Sequence, residues 1–138
     1  MKTKIALAGF ALLSAAALHA DDAPSLKSRH ANLEGSSPFS TTDGEKLYTT
    51  ICAACHMPDA AGGTGAGSYP ALAKNDKLAA SSYPVMMVMN GHGAMPSFRN
   101  SMTDAQVAAV VGYVRTHFGN LYADPVPLDD VKQVREAK

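Results

Sequence analysis

Cys52, Cys55 and His56 have the residue types and the spacing to do chemistry. They read C-x-x-C-H within "ICAACHMPDAAGG", residues 51–63, and the chain's only two cysteines are both here. Four chemistries use such a pair. A disulfide between Cys52 and Cys55 is possible in an oxidising compartment, but it closes a very small loop and contributes little stability. A redox C-x-x-C of thioredoxin type needs a βαβ setting, and the chain shows no alternating strand pattern. A zinc site needs four ligands, and neither a second cysteine pair nor an H-x-x-x-H is present. The fourth chemistry is covalent attachment of haem c, in which two thioethers take up the vinyl groups and the adjacent histidine ligates the iron. At the end of a helix, Cys52 and Cys55 fall on one face, three residues apart, and His56 projects just beyond them. One haem c, held at Cys52 and Cys55 with His56 on the iron, is the expected cofactor.

The iron of such a haem commonly takes a second protein ligand. "GHGAMPSF" offers His92 and Met95. A methionine in an apolar helix is usually core, and Met86, Met87 and Met89 are expected to line the haem pocket in that way. Met57 and Met102 look ordinary. Met95 stands in a loop, after Gly93 and Ala94 and before Pro96, where packing alone does not demand it. Pro96 restricts Met95 to extended backbone, which helps aim its side chain. Met95 is the expected distal ligand. His92 and an open iron position are the alternatives.

These residues need elements to position them. Thr42 followed by Glu45 has the form of a capping box, and Leu47, Tyr48 and Ile51 recur at helical spacing. A helix from about Asp43 into Cys52 follows, with C-x-x-C-H at its C-terminal end. The Gly- and Pro-rich stretch after it reads as loop, with a short helical segment around Asp76 to Ser81. "SSYPVMMVMNG" reads as a second helix, with Pro84 in its first turn and Asn90-Gly91 ending it. "TDAQVAAVVGYVRTHFGN" is the clearest helix, opened by Thr103 and Gln106 as a capping box and stopped at Gly119. One or two helical turns are expected from Leu128. The fold class is all-α, with three to five helices wrapped around one haem. The macrocycle supplies core that a chain with no Trp and 4 Phe lacks, since small domains bury little apolar area.

The division expected along the 138 residues is a signal peptide over 1–20, an N-terminal arm over 21–40, the haem domain over 41–120 and a C-terminal tail over 121–138. Lys2 and Lys4, the apolar run from Ile5 to Leu18 and the small residue Ala20 have the build of a cleaved leader. The run is short for a membrane span, so export to the periplasm with no span after cleavage is expected. The chain has 12 Lys and Arg against 12 Asp and Glu. Loss of 1–20 takes Lys2 and Lys4 with it and leaves a net charge of −2. That bias is too weak for a nucleic-acid partner, and there is no basic block.

The chain resembles a class I c-type cytochrome, mono-haem and periplasmic, over about residues 42 to 118. Gly44, Tyr48, Cys52, Cys55 and His56 stand where that family's first helix has its glycine, aromatic and C-x-x-C-H. Pro70 and Leu72 in "YPAL" match its proximal proline and leucine, and Met95-Pro96 matches its ligand loop. Val110 and Tyr113 match the face of the last helix that crosses the first. The resemblance implies that the Pro70 carbonyl accepts a hydrogen bond from His56, and that Gly44 allows the close helix crossing. Mitochondrial members carry a ring of lysines at the haem edge. Here Lys74 and Lys77 are accompanied by Asp59 and Asp76. A shorter stretch, "YVRTHFGNLYADPV", is similar to cytochrome subunits of bacterial alcohol and aldehyde dehydrogenases.

The function these residues imply is periplasmic electron transfer by a carrier that is not itself an enzyme. Its expected partners are redox proteins: a periplasmic dehydrogenase as donor, and an oxidase or another cytochrome as acceptor. The rival is a peroxidase-like or small-molecule-binding haem protein, with His92 or Arg99 as its polar distal group. Met95 and the single haem motif speak against it.

Overall fold

Residues 39–64 and 67–137 are described by the computed structural model. The leader over 1–20 and nearly all of the arm over 21–40 lie outside them.

The first helix is continuous over 44–56 and has three parts. α1 is Gly44–Leu47, a π-helical stretch covers Tyr48–Cys52, and α2 is Ala53–His56. Its N-cap is Asp43, whose carboxylate accepts from the Lys46 amide at 3.1 Å. The Thr42–Glu45 box is therefore not formed. Asp43 also places an acidic side chain at the positive end of the helix dipole, which Thr42 cannot do. The helix runs four residues past Cys52 and stops where Met57 takes a positive φ of 68°. The π turn winds an extra residue into the helix, a feature common at functional sites. It offsets the faces on either side of it. Leu47 and Tyr48 are buried in the core, whereas Cys52, Cys55 and His56 face a central cavity.

A short hairpin follows, β1 (Gly63–Thr64) paired antiparallel with β2 (Ser68–Tyr69), Gly63 opposite Tyr69. Strands of two residues carry no readable alternation, which is why the sequence pattern does not show them. A 3-10 turn occupies Asp76–Leu78, within the segment expected to be helical. α3 spans Ser82–Asn90 with Gly91 as its C-cap. α4 spans Asp104–Thr116 and opens with the full Thr103–Gln106 capping box. α5 spans Leu128–Glu136 and is longer than expected. The architecture is all-α with one small hairpin.

α1 crosses α4 at Gly44, where a Cβ would lie 2.4 Å from the Ala109 carbonyl oxygen and 2.8 Å from Tyr113 Cβ. No side chain fits there. Tyr48 packs beside this crossing, its ring centroid 4.8 Å from Phe118 and 5.8 Å from Tyr113. Its hydroxyl donates to the Met57 carbonyl at 2.7 Å. Burial, and after it the nearby Cys52 thiol, pushes the Tyr48 phenol up to about 12.

Two buried polar residues bind the later segments to this frame. Arg115 is fully buried and donates to the Leu78, Ala79 and Asp124 carbonyls and to the Asp124 carboxylate, at 2.7–2.9 Å. Asn120 accepts from the Asn75 amide at 2.9 Å and donates to the Leu72 and Val114 carbonyls at 2.8 Å. α5 is clamped by two arginines. Arg99 donates to the Val134 and Arg135 carbonyls. Arg135 donates back to the Arg99 and Met102 carbonyls and pairs with Asp104 at 2.6 Å.

Candidate functional site

The helices enclose a cavity of about 440 Å³. The end of the first helix contributes Cys52, Cys55 and His56, and the loop after β2 contributes Pro70 and Leu72. α4 contributes Val110, Val111 and Val114, and the loop after α3 contributes His92 and Met95. One cavity therefore collects all four expected site residues together with the alternative His92.

His56 is buried, and its Nδ1 lies 3.0 Å from the Pro70 carbonyl oxygen. A carbonyl only accepts, so Nδ1 is the donor of this contact, and in the neutral imidazole that leaves the Nε2 lone pair for a metal. Orienting a ligand histidine through its other nitrogen is the usual arrangement around a bound metal. The two cysteines are unbridged and partly buried. Burial foremost, with Cys55 close by, pushes the Cys52 thiol up to about 11. At neutral pH it is an uncharged thiol.

The loop with Met95 is held by backbone bonds. His92 and Met95 exchange two amide-to-carbonyl bonds of 3.0 Å, and the Phe98 amide donates to the Val88 carbonyl at 2.9 Å. Gly91, at φ 72°, passes so close to the loop that a Cβ there would lie 2.5 Å from the Met95 carbonyl oxygen. Met95 is partly buried, whereas His92 is exposed.

Two expectations about this wall need correction. Of the three helix methionines only Met87 lines the cavity. Met89 is fully buried in the core with Val85, and Met86 is 43% exposed. At about 100° per residue the helix directs 85 and 89 one way and 87 another, so three closely spaced methionines cannot share one wall. Arg99 does not line the cavity and cannot serve as its polar distal group. Its guanidinium is engaged with Asn90 Oδ1 and the carbonyls of α5. Lys77 lines the cavity, but Lys74 does not.

Sequence reasoning missed Arg115 and Asn120, which hold the cavity wall from behind. A signal for Arg115 was present: it follows Val111 by four residues on the apolar stripe of α4, where a cation has to find buried partners.

Residues 39–114, more than half of the chain, match the model of the family described as cytochrome C oxidase, cbb3-type, subunit III. The chain belongs to the cytochrome c family. It is 39% identical over 110 residues to the fructose dehydrogenase cytochrome subunit of Gluconobacter japonicus, covering 69% of this chain and 22% of that one. It is 29% identical over 119 residues to the cytochrome c subunit of the quinone alcohol dehydrogenase of Komagataeibacter europaeus, covering 77% of this chain and 25% of that one. It is 37% identical over 75 residues to cytochrome c6 of Leptolyngbya boryana, covering 51% of this chain and 85% of that one. The chain thus spans about a quarter or less of the dehydrogenase subunits it matches. A cytochrome c carries covalently bound haem c and takes part in electron transfer. The cavity fits that group. It offers two thiols, one imidazole with Nε2 available, a methionine sulfur and walls of Val, Leu, Pro and Met.

Proposed function

We propose that this cytochrome is an exported, periplasmic carrier of single electrons. Cys52 and Cys55 bind haem c through thioethers, and His56 and Met95 are the axial ligands of its iron. The observation that carries the reading is that one cavity holds all four residues, with His56 Nδ1 committed to Pro70 and Nε2 left available. The haem supplies an iron that cycles between ferric and ferrous. A methionine sulfur on that iron raises its potential relative to a second nitrogen. The surrounding apolar side chains act in the same direction, because a low-dielectric shell disfavours the extra ferric charge.

The donor is a dehydrogenase or another reductant of the same compartment, and the acceptor is an oxidase or another cytochrome. Likeness to the dehydrogenase subunits extends over 69–77% of the chain, against 51% for this cytochrome c6. That favours a partner of dehydrogenase type. The leader over 1–20, the arm over 21–40, the haem domain over 41–120 and the tail over 121–138 complete the proposal. No helix among the described residues is long and apolar enough to cross a membrane.

Two experiments test the site. Haem should stay with the polypeptide through denaturation and acid–organic extraction, and should be released when Cys52 and Cys55 are both changed to Ala. Met95→Ala should abolish the weak long-wavelength sulfur-to-iron band of the ferric protein and open the reduced iron to carbon monoxide. His92→Ala should leave the band in place. Reversed effects of these two variants would overturn the ligand assignment.

A further inference from the structure

A haem carries two carboxylates on the edge of the macrocycle opposite its vinyl groups, so a cavity that takes it must answer those negative charges. We propose that Lys77 holds a haem carboxylate, with the Tyr83 hydroxyl beside it at the same end of the cavity. This rests on the reading that haem c is attached at Cys52 and Cys55.

Lys77 is the one lysine or arginine on the cavity wall among the described residues, and no Asp or Glu lines it. Lys46, Arg115, Lys132 and Arg135 are each paired with a carboxylate. Arg99 is spent on backbone carbonyls. Lys74 does not line the cavity and lays its stem along Gly119, where a Cβ would lie 2.9 Å from Lys74 Cγ. Lys77 makes no ion pair among the described residues. Asp76 is its nearest acidic neighbour in sequence, and the Tyr122 hydroxyl of the tail donates to that carboxylate at 3.4 Å. The Asp124 carboxylate is taken by Arg115.

The backbone of Lys77 is held in advance. Its amide donates to Asn75 Oδ1 at 3.0 Å, and the Asn75 amide donates to the buried Asn120. The Leu78 and Ala79 carbonyls that follow are bound by Arg115. The cation thus hangs from a fixed turn. Tyr83 also lines the cavity, and its hydroxyl has no partner among the described residues. It stands in the first turn of α3, the helix packed on the Asp76–Leu78 turn. The loop with His92 and Met95 follows the other end of that helix, about 12 Å away at 1.5 Å per residue. A cation held at the haem edge favours the ferrous over the ferric iron by direct Coulomb interaction.

The test is a charge series in the haem-loaded protein: Lys77→Arg, Lys77→Gln and Lys77→Glu, with Lys74→Gln as a control. Haem attachment and the sulfur-to-iron band are recorded first, then the midpoint potential and the carboxylate bending mode in resonance Raman spectra. The potential should fall in Lys77→Gln and further in Lys77→Glu, and stay near wild type in Lys77→Arg and Lys74→Gln. The bending mode should shift in the Gln and Glu variants and be restored by Arg. If Lys77→Gln keeps haem, band, potential and bending mode all as in wild type, the assignment is overturned. It is also overturned if Lys74→Gln lowers the potential as much, because general surface charge would then account for the effect. Haem that extracts from the wild type would instead overturn the attachment reading, and this inference with it.

Discussion

Two glycines in helices should respond to the same substitution with opposite signs. At Gly44 an added Cβ lies 2.4 Å from the Ala109 carbonyl oxygen and 2.8 Å from Tyr113 Cβ. Ordinary contact begins near 3.4 Å, so α1 and α4 must separate by about 1 Å. The nearest atom is backbone, and no rotamer change relieves it. A gap of that size forfeits roughly a quarter to a half of each contact across the crossing, and overpacking of this kind costs about 1–3 kcal/mol. The helix-propensity gain of Ala over Gly is at most about 1 kcal/mol and less at a first helical position, so the net effect of Gly44→Ala is destabilising by about 1–2 kcal/mol. At Gly112, inside α4, nothing lies within 4 Å of an added Cβ. Gly112→Ala should therefore stabilise by about 0.5–1 kcal/mol, through the lower backbone entropy of the unfolded chain. For a domain of this size, 1 kcal/mol moves Tm by about 4–8 °C. Urea unfolding followed by circular dichroism, together with thermal melts of the haem-loaded protein, measures both variants. Shifts of the same sign, or a Gly44→Ala protein within about 0.5 kcal/mol of wild type, would refute the steric account of the crossing.

Arg115→Met keeps the volume of a fully buried side chain but strands the Leu78, Ala79 and Asp124 carbonyls. Of these contacts the one to Leu78 is buried and the other two are part-buried, so at about 1–3 kcal/mol per buried group left unsatisfied chemical denaturation should show a loss of at least about 1 kcal/mol, and Asp124→Asn should lose less. The hydrogen bond from Arg115 holds the Asp124 carboxyl below the usual carboxylate range. The folded pKa is lowered, so this pair's stabilisation is present above the unfolded value near 4 and is lost as pH falls through the folded value. The stability gap between wild type and Asp124→Asn should be flat at neutral pH and close in acid, as an unfolding series against pH would show. Charges near the cavity are of mixed sign, with Lys77, Asp76 and Asp59 exposed. Electron transfer to a natural partner should accordingly slow by less than about tenfold between low and moderate salt, since strong steering is what salt screens. Stopped-flow rates across a salt series would expose a charged docking ring by a steep decline.

The sequence by itself determined what is local. C-x-x-C-H on a helix end, the Thr103–Gln106 capping box, Gly91 after α3 and the constraint of Pro96 on Met95 all depend on neighbours within a few residues, so spacing and residue type suffice to read them. The match of "YPAL" and Gly44 to a known pattern carried the Pro70–His56 bond and the helix crossing, contacts that residue types alone would not have shown. Tertiary structure decided the rest. The choice of Asp43 over Thr42 as N-cap turned on which side chain reached the Lys46 amide. Of Met86, Met87 and Met89, one faces the cavity, because helical rotation relative to neighbouring elements is set by packing and all three are equally apolar. Arg99, Arg115 and Asn120 bind carbonyls that are 35 to 48 positions away in the chain, apart from the nearer partners of Arg115 and Asn120. A polar side chain announces that it needs partners, but only the folded backbone, bringing distant carbonyls within 3 Å, determines which ones it finds.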